Sequence, residues 1–168
     1  MRYSYTGATL GAELTEHEQL WLKQNQPQLF YLHDERKACG YFSFSSQYGD
    51  LEKITTSYEI AIDFARLEYH RLPLVYEVGG RIRKAARLYN MHLIDLHQYE
   101  DNRLCLIRPD VLMKVFYNRP VEIDQLCAII RSYLYWQAHF ENHGEAPWPG
   151  EEHGWDWLKQ YQDNGQSK

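Results

Sequence analysis

The sequence has few cysteines and no long apolar run, and both shortages exclude classes of protein. Its 168 residues include three cysteines, an odd number without close spacing, so the disulfide framework of a small secreted domain is not expected. No stretch approaches the roughly 20 apolar residues that a membrane-spanning helix needs. Residues 1–12 are polar and rich in tyrosine, unlike a secretory signal. We therefore expect a cytoplasmic protein with no membrane partner, in which a free thiol stays reduced.

Concentrated positive charge is also missing. The net charge is −5, and the densest basic run is short. Nucleic-acid binding needs clustered Lys and Arg that displace counterions from phosphates, so no nucleic-acid partner is expected. The length and a hydrophobic content of 44% suit one domain with one core. We expect a single domain over residues 1–168, with its core at about 15–160 and a polar tail from about 163.

The first third of the chain predicts one helix and then a β-meander. Thr15 and Glu18 have the spacing of a capping box, and the helix that they begin should end before Pro27. Short runs rich in Tyr, Phe and Ile follow, separated by polar turns. They predict three strands, which short connections would join in antiparallel order: 29–33, 38–44 and 57–64.

The rest of the chain predicts a fourth strand and then helices. Residues 72–77 contain Pro73, which suits an edge strand, and residues 81–104 lack periodicity and predict a long ordered loop. A helix is expected to start at Pro120, with Glu122 and Asp124 in its first turn, and to end near Gly144. A short last helix is expected around Trp155. The predicted fold class is α+β.

The three cysteines differ in their surroundings. Cys39 lies within a predicted strand and Cys127 on the apolar face of the long helix, so both are interpreted as small buried hydrophobic residues. Cys105 follows a polar segment and is flanked by leucines, which would hold the backbone while the thiol faces a loop. A free thiol has a pKa of about 8.5 and reacts as the thiolate. Cys105 is therefore the candidate nucleophile.

Thioester chemistry at Cys105 would need a group that stabilises an oxyanion or accepts a proton. His97, eight residues earlier, and Asn102, in the intervening turn, are the candidates. An imidazole has an unperturbed pKa near 6.5, so His97 could donate a hydrogen bond or act as a base. The alternative interpretation of His97 is a loop histidine with a structural hydrogen bond.

A metal site is not expected from the sequence. His139 and His143 are four residues apart on the predicted long helix, a spacing that could bind zinc. No neighbouring Glu or Cys completes a recognisable ligand set around them. Neither a metal nor another cofactor is therefore predicted.

The order of these features resembles the ubiquitin-conjugating (E2) fold and, in its motifs, the bacterial E2-like branch of that family. In that branch a histidine, then a short turn, commonly precedes a Leu-Cys-Leu sequence. The resemblance spans roughly residues 15–160. It is carried by the following segments: Leu72-Pro73-Leu74-Val75-Tyr76-Glu77, Gly79-Gly80-Arg81-Ile82, His97, Asn102, Leu104-Cys105-Leu106, Pro147-Trp148-Pro149-Gly150-Glu151 and His153-Gly154.

The resemblance implies an E2-like cysteine acyl transferase. Cys105 would accept the C-terminus of a partner protein as a thioester and pass it to an acceptor. Eukaryotic relatives have a His-Pro-Asn motif before the cysteine; counted back, their Asn corresponds to His97 and their His to Asp95. His97 is thus the expected substitute for that Asn.

The resemblance also implies partners. Bacterial members of this branch occur in anti-phage operons of the CBASS type, beside cGAS-like nucleotidyltransferases whose C-termini become conjugated to targets. A stand-alone domain is similar to the short, type II arrangement, so a cGAS-like nucleotidyltransferase is the expected donor. An E1-like activating protein is the second partner that the resemblance allows. The alternative is a non-catalytic module of the same fold that holds and regulates the same nucleotidyltransferase.

Overall fold

A computed structural model describes residues 13–68, 72–116 and 121–148. It confirms the α+β class, with one helix before a four-stranded antiparallel sheet and further helices after it. A 3₁₀ turn, Leu93–Leu96, lies between the second and third helices. The elements are α1 Glu16–Asn25, β1 Leu29–Leu32, β2 Lys37–Ser46, β3 Ile54–Glu68, β4 Leu72–Glu77, α2 Arg81–Leu88, α3 Pro109–Val115 and α4 Ile123–His143.

The sheet is the predicted meander. Its strands pair in sequence order, β1-β2-β3-β4, and every pairing is antiparallel. β2 and β3 are longer than predicted, because their ladder continues through the pairs Phe44–Thr56, Ser45–Thr55 and Ser46–Ile54, in which polar residues interrupt the apolar pattern. Along β2, Phe42 and Phe44 are buried while Tyr41 and Ser43 are exposed. This period of two shows that one face of the sheet covers the core.

The capping box at the start of α1 is confirmed. The backbone N–H of Glu18 donates to the Thr15 hydroxyl, and the Thr15 N–H donates to the Glu18 carboxylate at 2.7 Å. Two otherwise unpaired donors of the helix terminus are thereby satisfied. The helix ends at Asn25, before Pro27 as predicted.

The long C-terminal helix α4 begins later than predicted. Pro120 lies outside the described residues, and Glu122 is the extended residue before the helix, so a start at Pro120 is wrong. The Gln125 side chain accepts a hydrogen bond from the Glu122 N–H at 3.0 Å, which caps the helix at this point. The predicted end is confirmed at Gly144, whose φ of +72° suits glycine. α4 is buried on most of its surface and forms the centre of the core.

The prediction of a loop over residues 81–104 is wrong in its first part, which is helix α2. Ile82, Ala85 and Ala86 of α2 are buried, and the Glu77 carboxylate accepts a hydrogen bond from the Arg81 N–H at the helix start. Two turns are too few for a clear apolar period, so the helix depends on tertiary packing. The short helix α3 was not predicted either, for the same reason.

Some predicted features lie outside the described residues. These are the short helix around Trp155, the polar tail from about 163, and the motif residues Pro149, Gly150, Glu151, His153 and Gly154. Within residues 13–68, 72–116 and 121–148, no helix is both long and apolar enough to cross a membrane.

The pairing of β1 with β2 depends on a glycine. Gly40 has a φ of +135°, and a Cβ atom there would lie 2.1 Å from the carbonyl oxygen of Gln28. That oxygen accepts the backbone hydrogen bond of Tyr41 at 2.9 Å. A side chain at position 40 would therefore push apart the backbones that begin the sheet.

We predict that Gly40→Ala lowers the free energy of unfolding by at least about 2 kcal/mol, from backbone strain and overpacking together. Gly49→Ala is the matched control, because Gly49 also has positive φ but a Cβ atom added there would meet no other atom within 4 Å. It should cost about 1 kcal/mol. Urea unfolding of both variants measures the difference, and equal costs would show that the contact with Gln28 is unimportant.

The buried carboxyl of Glu77 makes the stability depend on pH. Burial raises the pKa of Glu77, and backbone N–H groups at the start of α2 lower it by less. A carboxyl with a higher pKa in the folded protein binds more protons when folded than when unfolded. The stabilisation that the protonated Glu77 carboxyl contributes is present below the unfolded pKa of about 4.3. This stabilisation is lost as the pH rises through the folded pKa.

We predict that Glu77→Gln removes this loss of stability at higher pH. Its amide oxygen can still accept the hydrogen bond from the Arg81 N–H, and it carries no buried charge. The free energy of unfolding of the variant should fall less steeply than that of the wild type as the pH rises from about 4.3. Glu77→Ala lacks the acceptor and should be less stable by about 1 kcal/mol. Parallel pH profiles for wild type and Glu77→Gln would contradict the assignment.

Candidate functional site

The segment before Cys105 folds as a tight hairpin. Gln98 and Leu104 form an antiparallel bridge, and the Tyr99 N–H donates to the Arg103 carbonyl at 2.9 Å. The turn closes at Asn102, whose φ is +70°. Asn is one of the few residues other than Gly that adopt this conformation readily. The polar segment therefore serves to reverse the chain just before the cysteine.

The hairpin extends the sheet beyond β4. The Leu104 N–H donates to the Val75 carbonyl at 2.8 Å, and the Glu77 N–H donates to the Asn102 carbonyl at 3.0 Å. The outer edge of β4 is thus paired with the segment that leads into Cys105. Because backbone ladders fix register, the position of Cys105 is tied to the sheet.

The structure brings the backbones of His97 and Cys105 together. The Cys105 N–H donates to the His97 carbonyl at 2.8 Å, as the next pair of the ladder after Gln98 and Leu104. Gln98 and Leu104 are buried, whereas His97 and Cys105 are half-buried. The two predicted residues are therefore joined through their backbones, and both are partly accessible.

Helix α4 anchors the chain at His97. The Leu96 carbonyl accepts hydrogen bonds from Gln137 Nε2 at 2.6 Å and from the Tyr133 hydroxyl at 3.2 Å. The same hydroxyl lies 2.9 Å from the His97 carbonyl. The His97 ring packs edge-on against the indole of Trp136, with centroids 5.6 Å apart. His97 is thus held at its carbonyl and at its ring, in a left-handed conformation with φ of +56°.

The Tyr133 hydroxyl remains a donor across the physiological pH range. Burial raises its pKa well above the usual value, and the negative charge of a Cys105 thiolate raises it further. A neutral Tyr133 hydroxyl can hold the His97 carbonyl without competing for a proton.

Asn102 has a clear structural role. Its side-chain oxygen accepts a hydrogen bond from Arg83 Nη2 at 3.1 Å, and the same nitrogen donates to the Glu100 carbonyl at 3.0 Å. Arg83, in α2, therefore braces the turn from outside. An oxyanion role for Asn102 stays a prediction.

The sequence interpretation missed the residues that position the site. The sequence patterns did not predict a positioning role for Tyr133, Gln137 or Arg83. Gln137 offered a signal, because it follows Tyr133 by one turn on a face that is otherwise apolar. A buried amide at such a place must find a partner.

Comparison with protein-family models, with curated proteins and with solved structures finds no match to this chain. Function is therefore inferred from the geometry around Cys105 and from the sequence motifs.

The other two cysteines have less reactive surroundings. Cys127 is fully buried in α4, and burial raises its pKa to about 12. Cys39 is half-buried rather than buried as predicted, because the alternation of β2 turns it to the outer face of the sheet. Burial raises the pKa of Cys39, and the nearby Glu35 charge raises it further.

We predict that iodoacetamide alkylates Cys105 first in the native protein at pH 7.5. Thiolate fraction controls the rate, so Cys39, whose pKa is raised, should react more slowly, and Cys127 should stay protected until the protein unfolds. Peptide mass spectrometry over time distinguishes the three sites, with urea-unfolded protein as the control. Faster labelling of Cys39 than of Cys105 would contradict the choice of nucleophile.

Proposed function

We propose that this chain is an E2-like, ubiquitin-conjugating-type cysteine acyl transferase of bacterial anti-phage defence. Cys105 accepts the C-terminus of a partner protein as a thioester and transfers it to an acceptor. The observation that carries the proposal is the hydrogen bond from the Cys105 N–H to the His97 carbonyl, between two half-buried residues at the base of a hairpin that extends the sheet. Hydrogen bonds from α4 and from β4 hold this part of the backbone in place.

The arrangement of the chain supports the ubiquitin-conjugating fold. One helix precedes a four-stranded meander, the cysteine-bearing segment follows β4, and the long helix comes after it. This order is that of the family that the motifs resemble. Cys105 then occupies the position of the carrier cysteine, and His97 that of the eukaryotic Asn.

The chemistry needs a donor that arrives activated. A thioester is uphill from a free carboxylate, so an E1-like protein would first join the donor C-terminus to a nucleotide. The Cys105 thiolate then attacks that carbonyl, the S–C bond forms, and the nucleotide leaves. In the second step an acceptor amine attacks the thioester carbonyl, loses a proton, and expels the Cys105 thiolate.

The proposed role of His97 is in the second step. An imidazole beside the thioester can donate a hydrogen bond to the oxyanion or accept the proton of the amine. Its backbone is fixed by Tyr133 and by Cys105 itself. Such preorganisation is what makes a hydrogen-bond donor effective in a transition state.

The proposed donor is the C-terminus of a cGAS-like nucleotidyltransferase, and the proposed compartment is the cytoplasm. Both are supported by the resemblance to the stand-alone proteins of type II CBASS operons. A reducing compartment keeps a half-buried thiol such as that of Cys105 available for acylation.

A non-catalytic binding module is the second candidate. It is favoured by the apolar side chains on the outer face of the sheet, where Phe30 is 65% and Tyr41 49% exposed. Exposed aromatic groups of this kind are frequent at protein interfaces. A module that works only by binding would not need a thiol at position 105.

We predict that Cys105→Ser, co-expressed with the neighbouring genes, accumulates an adduct that survives thiol reagents, because an oxyester replaces the thioester. Wild type should form an adduct that thiols cleave, and Cys105→Ala should form none. Cys39→Ser is the matched control and should behave as wild type, since Cys39 is also half-buried. Denaturing gels with and without thiol, and intact mass, provide the measurement.

The phage-protection phenotype separates the two candidates. Full protection by Cys105→Ala would exclude the transferase and leave the binding module. An adduct that forms equally in wild type and Cys105→Ala would exclude Cys105 as the carrier.

We further predict that His97→Ala still forms the thioester but transfers it about 100-fold or more slowly, as expected for the loss of an oxyanion donor. His97→Asn, which restores the amide of the eukaryotic relatives, should recover part of the rate. Single-turnover discharge to a small amine measures this step. A defect of equal size in loading and discharge would assign His97 a structural role instead.

A further inference from the structure

A second cluster of chemically active side chains lies on α4, away from Cys105. It comprises Glu52, in the loop before β3, together with His139 and His143. One donor atom from each lies within 4.8 Å of the others. His143 Nε2 is 2.5 Å from a Glu52 oxygen, and the two imidazole rings have centroids 4.5 Å apart. Two histidines one helical turn apart present their nitrogens to the same side.

The protein already orients His139 as metal-binding histidines are oriented. His139 is only 9% exposed, and its Nδ1 lies 3.2 Å from the carbonyl oxygen of Glu145. A proton on Nδ1 satisfies that carbonyl and leaves the Nε2 lone pair available as a ligand. Histidine ligands usually donate the other ring N–H to a backbone carbonyl or carboxylate in this way. Gly144, with a φ of +72°, makes the turn that brings the Glu145 carbonyl back over the ring.

The backbone of Glu52 is also held in place. Its backbone carbonyl accepts a hydrogen bond from the Tyr135 hydroxyl at 2.6 Å. Tyr135 lies one turn before His139 and stacks on Trp148, with the ring planes 3° apart. The Glu52 side chain is hydrogen-bonded to His143 Nε2. The loop is thereby fixed with its carboxylate beside the two imidazoles.

We propose that Glu52, His139 and His143 form a binding site for a first-row divalent cation, zinc foremost. The ligands are His139 Nε2, a ring nitrogen of His143 and a Glu52 carboxylate oxygen. Two imidazoles and one carboxylate are a known zinc ligand set, with the fourth position left to water. Magnesium and calcium prefer oxygen ligands throughout, so they should bind weakly.

The geometry requires one local adjustment. Ligand atoms about 2.0–2.1 Å from a tetrahedral zinc ion lie about 3.3 Å from one another. The direct hydrogen bond between Glu52 and His143 must therefore open as the ion enters. Both side chains can move, because they are 43% and 42% exposed respectively. His139, the buried member, keeps its orientation.

A bound ion would join the loop before β3 to the end of α4. The site shares α4 with Tyr133 and Gln137, which hold the loop below Cys105, but it shares none of their side chains. The proposal is thus independent of the proposed transferase activity. It also differs from the expectation drawn from sequence, in which the histidine pair had no third ligand.

Zinc binding by the full chain tests the proposal. Metal-stripped protein is titrated with zinc in competition with a chromophoric chelator, in a Cys39→Ala, Cys105→Ala background, since both thiols could also bind zinc. One zinc should bind per chain. His143→Ala and Glu52→Gln should each weaken binding by at least about 10- to 100-fold. His33→Ala removes an exposed histidine elsewhere and should change nothing.

Cobalt spectroscopy and thermal melting provide independent measurements. Cobalt in the site should give the intense visible bands of a four-coordinate ion, without thiolate charge-transfer bands. Zinc should raise the Tm of the parent protein but not that of His143→Ala. The half-exposed His143 and Glu52 are substituted, rather than buried His139, so that the fold is retained. Equal zinc affinity of the parent and both variants overturns the proposal and leaves Glu52 and His143 as an ion pair alone.

Discussion

The carbonyl oxygens of Leu96 and His97 turn into the protein interior, and the position of the cysteine depends on how they are satisfied. Buried carbonyl groups without partners are costly. Here Tyr133 and Gln137, one turn apart on α4, supply the side-chain donors. The His97 carbonyl also accepts the Cys105 N–H. The core helix therefore fixes the backbone of His97, and His97 fixes the backbone of Cys105.

The sheet supplies the second constraint on the site. Glu77 joins three parts of the structure. It is the last residue of β4, and its backbone N–H donates to the Asn102 carbonyl. Its carboxylate accepts a hydrogen bond from the first N–H of α2. Arg83 of α2 donates a hydrogen bond to the Asn102 side chain. The turn before Cys105 is consequently bound on both sides. Two of the four basic residues of α2, Arg81 and Arg83, make internal hydrogen bonds of this kind.

Helix α4 contacts several parts of the protein, because most of its residues are buried. Side chains on one part of α4 donate hydrogen bonds to the loop that precedes Cys105. On another part of the helix, Tyr135, His139 and His143 lie beside Glu52. A long helix inside a small domain can connect distant parts of the chain without a change of backbone geometry. The proposed acyl transfer and the proposed cation site therefore depend on one rigid element while using separate side chains.

The sequence by itself determined the features that depend on near neighbours. The capping box at Thr15, the alternation of the strands and the helix end at Gly144 all follow from local patterns. Cys105 could be separated from Cys127 on the same basis. Tertiary structure alone decided that residues 81–88 are helical, since burial stabilises two turns that propensity cannot. It alone also brought Glu52 to His143 across 91 residues, because no local pattern records which distant side chains a fold places together.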